Sequence, residues 1–439
     1  MIRAFWQWRC FVEKLVIENF LSIKRATIEL KRINIFIGPQ AKGKSLISKL
    51  IHFCKEVPSG IYETASEEKS KRDFDKELRA KFESIFPSYA WEKSIFTISY
   101  TCDQYGIKIS NEKINSKFKL CLKYTDKITK TLNAARKTFN KLASDDNESR
   151  LSLSRRNSIN REIRETISST LNFGSSESKI EQVIYIPAGR SFFANLQKSV
   201  FSFLSTSIPI DYFLKEFGAV YERTRDKGFL SFIDQHRPKH LTKLVNDLIC
   251  GNYLSEKGQD WIITDHGKVN VSNSSSGQQE VLPMAMVLST WPFAASNIFR
   301  RSFVIEEPEA HLFPIAQGQV ASLIATAYNA QDRLGTFTIT THSPYILTAI
   351  NNLIQAGNVA ASSNENLAQL YEIVPKDQII DFKDVAAFIV DKGTAKSIMD
   401  SDLSLIDANA VDSVSQHFSE KFERLVGLEL ETSSGDEEQ

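Results

Sequence analysis

Gly38-Pro39-Gln40-Ala41-Lys42-Gly43-Lys44-Ser45 constrains this chain more than any other stretch. It has the form G-x-x-x-x-G-K-[ST]. Arg32-Ile33-Asn34-Ile35-Phe36-Ile37 before it is apolar, β-branched and of strand length, and Leu46-Ile47-Ser48-Lys49-Leu50-Ile51 after it repeats apolar residues at helical spacing. A strand, a glycine-bearing loop and a helix start place backbone N–H groups and the positive helix end around a polyphosphate. In that setting Gly38 to Ser45 form the binding loop, Lys44 reaches the β- and γ-phosphates of a nucleotide such as ATP, and Ser45 is a ligand of Mg²⁺. A chance match in an ordinary turn would lack the flanking strand and helix.

The 439 residues suffice for two or three domains, or for one large domain with insertions. The formal net charge is +1, so overall charge lends nothing to a nucleic-acid partner and any basic face is local. No apolar run is long enough to span a bilayer, and Met1 to Arg9 lacks the apolar core of a signal peptide. Cys10, Cys54, Cys102, Cys121 and Cys250 are scattered without a C-x-x-C pair. They read as reduced thiols of a cytoplasmic chain, not as a disulfide frame or zinc site.

Ahead of the loop, Leu15-Val16-Ile17 and Ala26-Thr27-Ile28-Glu29-Leu30 read as strands of an antiparallel side sheet, with Phe20 or Lys24 placed to touch a base. Glu63 to Phe86 is charged and reads as exposed helix, and Phe96 to Tyr100 and Gly106 to Ile109 read as a meander. Asn111 to Leu171 holds no Gly or Pro, and Phe118, Leu122, Ile128, Leu132, Ala135, Phe139 and Leu142 recur at helical spacing. With a turn cluster at Ser144-Asp145-Asp146-Asn147-Glu148-Ser149, this predicts a helical hairpin projecting from the core. Its first arm, Asn111 to Ala143, carries nine Lys/Arg and two acids, and the second adds Arg150, Arg155, Arg156, Arg161 and Arg164. A solvated helix face explains such charge, and DNA binding is the alternative. Ile210 to Cys250 is helical in pattern, broken near Gly228 and Pro238, and Asp265-His266-Gly267 turns a strand hairpin.

Three further motifs follow. Ser274-Ser275-Ser276-Gly277-Gln278-Gln279-Glu280 precedes an apolar helix. Ser302-Phe303-Val304-Ile305-Glu306-Glu307-Pro308-Glu309-Ala310-His311-Leu312 is a buried-strand run ending in two carboxylates. At the carboxyl edge of a sheet these lie beside the loop, where Glu306 holds Mg²⁺ and Glu307 orients and deprotonates the attacking water. Thr336-Phe337-Thr338-Ile339-Thr340-Thr341-His342-Ser343-Pro344 is a strand ending in a histidine within reach of the γ-phosphate.

Taken in this order from Val12 to about Leu353, the four motifs resemble ABC-type ATPase heads of the SMC, Rad50 and RecF group, and more closely the stand-alone AAA-15/OLD-type ATPases of bacterial anti-phage systems. The resemblance implies an α/β P-loop NTPase fold with a mixed central sheet, an antiparallel side sheet and an inserted short helical hairpin. It makes Ser276, Gly277 and Gln278 a signature that contacts the γ-phosphate bound by an opposing subunit, so that two heads sandwich two ATP molecules. Lys44, Glu307 and His342 are then the catalytic set, Ser45 and Glu306 the metal ligands, and Glu309-Ala310-His311 the D-loop. Gln278 in place of a second signature glycine, Glu306 in place of aspartate and Ala41 in place of glycine depart from the pattern and point to slow turnover. Gln182, Gln197 and Arg190 are the candidates for the Q-loop.

The expected divisions are an N-terminal lobe with the loop (1–110), the inserted hairpin (111–173), a C-terminal lobe with the remaining motifs (174–375), a small α/β or helical cap (376–430) and an acidic tail (431–439). Asp400-Ser401-Asp402 reads as helix-capping acids, because too little chain follows His342 to build the Toprim nuclease domain of OLD proteins. The resemblance therefore implies an ATP-driven sensor and scaffold, as in PARIS- and Septu-type systems. Its partners are a second copy of itself, a separate Toprim- or HNH-type nuclease and a phage protein as trigger. The alternative is a DNA-acting ATPase of the RecF or Rad50 kind, its duplex gripped by the basic hairpin. A transporter subunit at a membrane fits neither the N-terminal strands nor the helical insertion.

Overall fold

The computed structural model describes residues 13–102, 105–144, 153–171, 180–196, 210–226, 237–256, 258–294, 299–330, 335–362 and 367–407, with 229, 233 and 423. The N-terminal nine residues, the turn cluster at 145–149, Arg150, Gln197, Gly228 and the acidic tail lie outside them.

The strands of the two larger sheets are β1 (Glu13–Phe20), β2 (Ile23–Leu30), β3 (Ile33–Ile37), β4 (Phe96–Cys102), β5 (Tyr105–Ile114), β6 (Lys117–Tyr124), β7 (Ile180–Ile186), β8 (Asn252–Glu256), β9 (Gln259–Thr264), β10 (Gly267–Asn270), β11 (Phe299–Glu306), β12 (Phe337–Thr341), β13 (Val385–Asp391) and β14 (Thr394–Ser397). Eleven of them form one sheet in the order β6-β5-β4-β1-β2-β14-β13-β3-β12-β11-β7. The run from β6 to β2 is antiparallel, and β13, β3, β12, β11 and β7 are parallel. β14 joins the two groups, antiparallel to β13 and parallel to β2. The mixed sheet with its antiparallel side is the architecture expected from the motif order.

Every residue of β3 is buried, as a parallel strand covered on both faces requires. Its alternate residues feed two cores: Ile33, Ile35 and Ile37 pack into one, Phe36 into the other. Helices Lys44–Lys55, Val57–Ser66 and Lys71–Ile85 cover the second face through Ile47, Leu50, Ile61, Phe74, Phe82 and their neighbours. Phe20 lies in this core among Phe82, Phe86 and Phe96, which removes it as a contact for a base. The charged stretch expected as exposed helix is accordingly amphipathic.

Two corrections concern boundaries. Asn111 to Tyr124 is strand, and the helical arm starts at Asp126. Asn115 and Ser116 both take positive φ, 48° and 68°, which makes a two-residue hairpin turn. The run Lys117-Phe118-Lys119-Leu120-Cys121-Leu122-Lys123-Tyr124 alternates with period two, a pattern that helical spacing of Phe118 and Leu122 masks. The second correction is that the expected C-terminal cap supplies β13 and β14 to the main sheet. Asp400 caps no helix; its Oδ1 accepts from the N–H groups of Asp402 and Leu403 in a turn.

The arms Asp126–Ser144 and Leu153–Leu171 are 19 residues each and pack antiparallel. Ile128, Leu132 and Ala135 of one and Ile159, Ile163 and Ile167 of the other belong to the same core as the helix Val57–Ser66. The Arg164 guanidinium lies 4.4 Å from the Tyr62 ring centre.

Candidate functional site

The loop after β3 is held in shape by two glycines and by backbone from both ends of the chain. Gly38 has φ 152°, and a Cβ there would stand 2.3 Å from the carbonyl oxygen of Val390 in β13. Gly43 has φ 102°, and a Cβ there would meet Ile23 and Ser22 of the β1–β2 turn. Ala41 takes φ 59°, the left-handed region that glycine enters freely and alanine does not. Lys42 pairs with Asp391 at 3.5 Å. The helix Lys44–Lys55 has no side-chain cap and no acid in its first turn, which leaves its positive end facing the loop.

Lys44 is 4% exposed. Its Nζ donates to the carbonyls of Gly38 and Pro39, both at 2.8 Å, and lies 3.3 Å from His342 Nδ1. Burial pulls its pKa down to about 8, against the attraction of Glu307 and Glu309. An ammonium only donates, so Nδ1 of His342 is the acceptor. The ring is then the Nε2–H tautomer, and Nε2 stands 3.3 Å from Glu307 Oε1. Lys44, His342 and Glu307 thus form one chain of polar contacts within a single subunit.

Register explains the convergence. β3, β12 and β11 are adjacent and parallel, with Thr340 opposite both Phe36 and Glu306. Their carboxyl ends therefore deliver the loop, His342 and the two carboxylates to one edge. Glu306 is 7% exposed; its Oε2 accepts from the Ala188 N–H at 3.3 Å, while its buried Oε1 has no donor within hydrogen-bond distance among the described residues. A buried carboxylate oxygen left unpaired is costly unless a cation meets it. Mg²⁺ would fit there: it binds through one or two carboxylates plus phosphate oxygens and waters, and Ser45 at the helix start would supply a hydroxyl. Glu307 takes φ 41° and donates its N–H to the Thr340 carbonyl at 2.9 Å. A glutamate in that region is strained.

The helix Ser276–Leu288 begins with a capping box. Ser275 Oγ accepts from the Gln278 N–H, and Gln278 Oε1 accepts from the Ser275 N–H. Ser275 is therefore the cap, and Ser276 stands exposed at the first helical position. Gln278 is turned to its own helix start and donates from Nε2 to the Ile249 carbonyl at 2.8 Å. Gly277 is a packing glycine: a Cβ there would stand 2.8 Å from the His311 carbonyl oxygen. Gly277 thus packs against the loop after Glu307, the loop whose Glu309 Oε1 accepts from the His342 N–H at 2.6 Å.

Sequence reasoning missed β13 at this site and gave Glu309 and Arg190 other roles. Glu309 holds the backbone of His342, and β13 backs the loop. Arg190 was a candidate for the Q-loop; it is instead fully buried and bonded to the carbonyls of Glu306 and Glu307. Gln182 lies within β7, far along the strand from the carboxyl edge. An arginine just after a strand and an Ala-Gly turn carries no sequence signal that it is buried. Among the described residues no three His, Cys, Asp or Glu side chains cluster as a metal cage, and no helix is long and apolar enough to cross a membrane.

Solved structures similar to the chain include an Smc head bound to the C-terminal winged-helix domain of ScpA, with 13% identity, a TM-score of 0.41 and coverage of 88% of this chain and 97% of that one. The SMC head domain from Thermotoga maritima matches with 11% identity, a TM-score of 0.36 and coverage of 88% and 98%. An Smc head with an extended coiled coil bound to ScpA from Pyrococcus furiosus matches with 11% identity, a TM-score of 0.37 and coverage of 88% and 96%. No curated protein matches the chain. The family model of the AAA ATPase domain (AAA_15) matches residues 11–347, a span that contains the loop, the capped helix, both carboxylates and the histidine. The chain belongs to the AAA ATPase domain family and is an ATPase.

Proposed function

We propose that this ATPase hydrolyses ATP slowly at sites completed by a second copy of the chain, and that it serves as a sensor and scaffold for a separate effector, a nuclease of an anti-phage system. The observation that carries the shared site is Ser276. It is exposed at the start of a helix, while the phosphate loop of its own chain is served by Lys44, His342 and Glu307. Phe313, Ile315 and Tyr345 follow the carboxylate loop and the histidine, and all are exposed at this edge. Ser276 with the first N–H groups of its helix suits a phosphate presented by another subunit.

Within one chain, ATP phosphates take over the Lys44 ammonium from the Gly38 and Pro39 carbonyls. Ser45 and Glu306 would hold Mg²⁺, which would supply neutralisation of the phosphate charge. Glu307, held by His342 Nε2–H, accepts the proton of the attacking water. Gln278 spends its backbone N–H and side-chain oxygen on its capping box and an amide N–H on the Ile249 carbonyl, in keeping with slow turnover.

Mixing Lys44→Ala chains with Ser276→Arg chains tests the shared site. Each variant alone should be inactive; random pairing should restore about a quarter of wild-type hydrolysis, because half the dimers hold one intact composite site of two. Normal hydrolysis by Ser276→Arg alone refutes it.

The hairpin bears on the sensor role. Arms of 19 residues are about 28 Å long, and their inner turns are built into the core, so they suit a fixed platform better than a tether. Co-purification with a Toprim- or HNH-type nuclease, lost on exposure to a phage protein, tests that role. One observation favours DNA as partner instead: Lys130, Lys137 and Lys141 are exposed and share one helix face. A steep fall of DNA affinity with salt, about 0.9 in log–log slope per phosphate contact, would establish it.

A further inference from the structure

One buried side chain bonds to both carbonyls of the peptide that carries the two carboxylates. Arg190 is 0% exposed. Its Nη1 donates to the carbonyls of Pro187 at 3.0 Å and Glu306 at 2.7 Å, and its Nη2 to the carbonyl of Glu307 at 3.0 Å. Its Nε donates to the carbonyl of Glu280 at 2.9 Å and lies 3.5 Å from the Glu280 carboxylate. Glu280 is itself 2% exposed, and its two carboxylate oxygens accept from the N–H groups of Arg190 at 2.9 Å and Ser191 at 3.0 Å. One planar guanidinium thus ties three elements together: the turn after β7, the end of β11 and the helix Ser276–Leu288.

Two physical points give this tie a role beyond packing. Glu307 stands in a strained left-handed conformation, which persists only where its surroundings dictate it. Arg190 dictates it by holding two successive carbonyls, Glu306 and Glu307, in a fork that an ammonium cannot reproduce. The other end of the tie is Glu280, the fifth residue of the helix whose first two are Ser276 and Gly277. A helix is stiff over one turn, so a shift of its start moves Glu280, then Arg190, then the Glu307 backbone. Glu280 lies one turn from the helix start and bonds to Arg190 and Ser191.

We propose that Arg190 and Glu280 are positioning residues that make the placement of the Glu307 carboxylate depend on the position of the Ser276 helix, so that hydrolysis, and not ATP binding, responds to what that helix meets. The proposal rests on Glu307 as the base that activates water. Neither residue touches the reacting atoms.

The test measures mant-ATP affinity and single-turnover ATP hydrolysis for Glu280→Gln and Arg190→Lys, each in the wild-type chain and in a Glu307→Gln background. The expected result is affinity within about twofold of wild type and a hydrolysis rate lower by about 10²-fold, the scale of a reacting group misplaced by an ångström. In the Glu307→Gln background neither change should lower the residual rate further, because the group being positioned is already gone. A merely structural role gives a different pattern, with affinity and rate falling together and by the same factor in both backgrounds; that pattern overturns the proposal. An unchanged rate in folded Glu280→Gln overturns it too, and this milder variant decides the matter should Arg190→Lys fail to fold. If Glu307→Gln alone hydrolyses at the wild-type rate, the base assignment is what has failed, and the inference falls with it.

Discussion

Replacing glycine by alanine at three positions should give three different outcomes, and the structure sets their order. At Gly318, inside the helix Pro314–Asn329, an added Cβ meets nothing within 4 Å. Alanine there removes the backbone entropy cost of glycine and should stabilise by about 0.5–1 kcal/mol. At Gly277 the same helical gain applies, but the Cβ would stand 2.8 Å from the His311 carbonyl oxygen. That separation is shorter than carbon and oxygen tolerate, and both groups belong to backbone, so one must move by a few tenths of an ångström. Overpacking of this kind costs about 1–3 kcal/mol, which outweighs the gain and leaves a net loss of up to about 2 kcal/mol. The movement falls on a loop whose Glu309 holds the His342 N–H, so hydrolysis should drop while ATP affinity changes little. At Gly38 the Cβ would reach 2.3 Å from the Val390 carbonyl oxygen at φ 152°, and ATP binding should be lost. Equilibrium urea unfolding and nucleotide titration measure all three. If Gly277→Ala is stabilised as Gly318→Ala is and hydrolyses ATP at the wild-type rate, the contact between the capped helix and the carboxylate loop is absent and the reasoning fails.

Glu307→Gln should keep ATP affinity and lower hydrolysis by about 10²–10⁴-fold, the worth of a general base, as phosphate release would report; the reverse pattern with Glu306→Gln would exchange their roles. ATP affinity should be flat up to about pH 8 and fall above it, by up to about tenfold per pH unit, because Lys44 with its pKa lowered to about 8 must regain a proton to meet the phosphates. The same lowered pKa means the folded chain disfavours the Lys44 ammonium below about pH 8, and that this destabilisation disappears as pH rises toward the ordinary lysine range; Lys44→Met should abolish the pH dependence of affinity. Ala41→Gly relieves a left-handed alanine at φ 59° but loosens the unfolded chain, so stability should change by less than about 1 kcal/mol and ATP affinity should be kept. A large loss in that variant would show that the loop depends on the methyl group.

The parts of the site that a local pattern announces were legible. Gly38 to Ser45, Glu306, Glu307 and His342 each end a strand or open a helix, and parallel strands deliver such ends to one edge. What stayed hidden depends on distant pairing. β13 lies in a stretch whose composition suits a cap, and only the sheet order puts Val390 against Gly38. Arg190 and Glu280 look like ordinary surface charges in sequence, and only burial gives them partners. The strand run 117–124 was masked because Phe118 and Leu122 are four apart as well as alternating, and the two periods coincide over so short a stretch. Gln278 resembled a phosphate contact because of its place after Ser276-Gly277, whereas its side chain completes a local capping box.

The neighbours of β3 have a consequence for how this protein is made. β3 emerges early, at residues 33–37, yet both strands that pair with it, β12 and β13, come from beyond residue 336. A nascent chain therefore carries Ile33-Asn34-Ile35-Phe36-Ile37 with both edges open until β12 and β13 have been made. At about 5–20 residues per second β13 follows roughly 20–70 s later. During that interval Gly38 has no Val390 to rest against, and ATP cannot act as a ligand that selects the folded state. An unpaired apolar strand of this kind is a template for association between chains, so the growing polypeptide needs shielding on the ribosome until those two strands arrive.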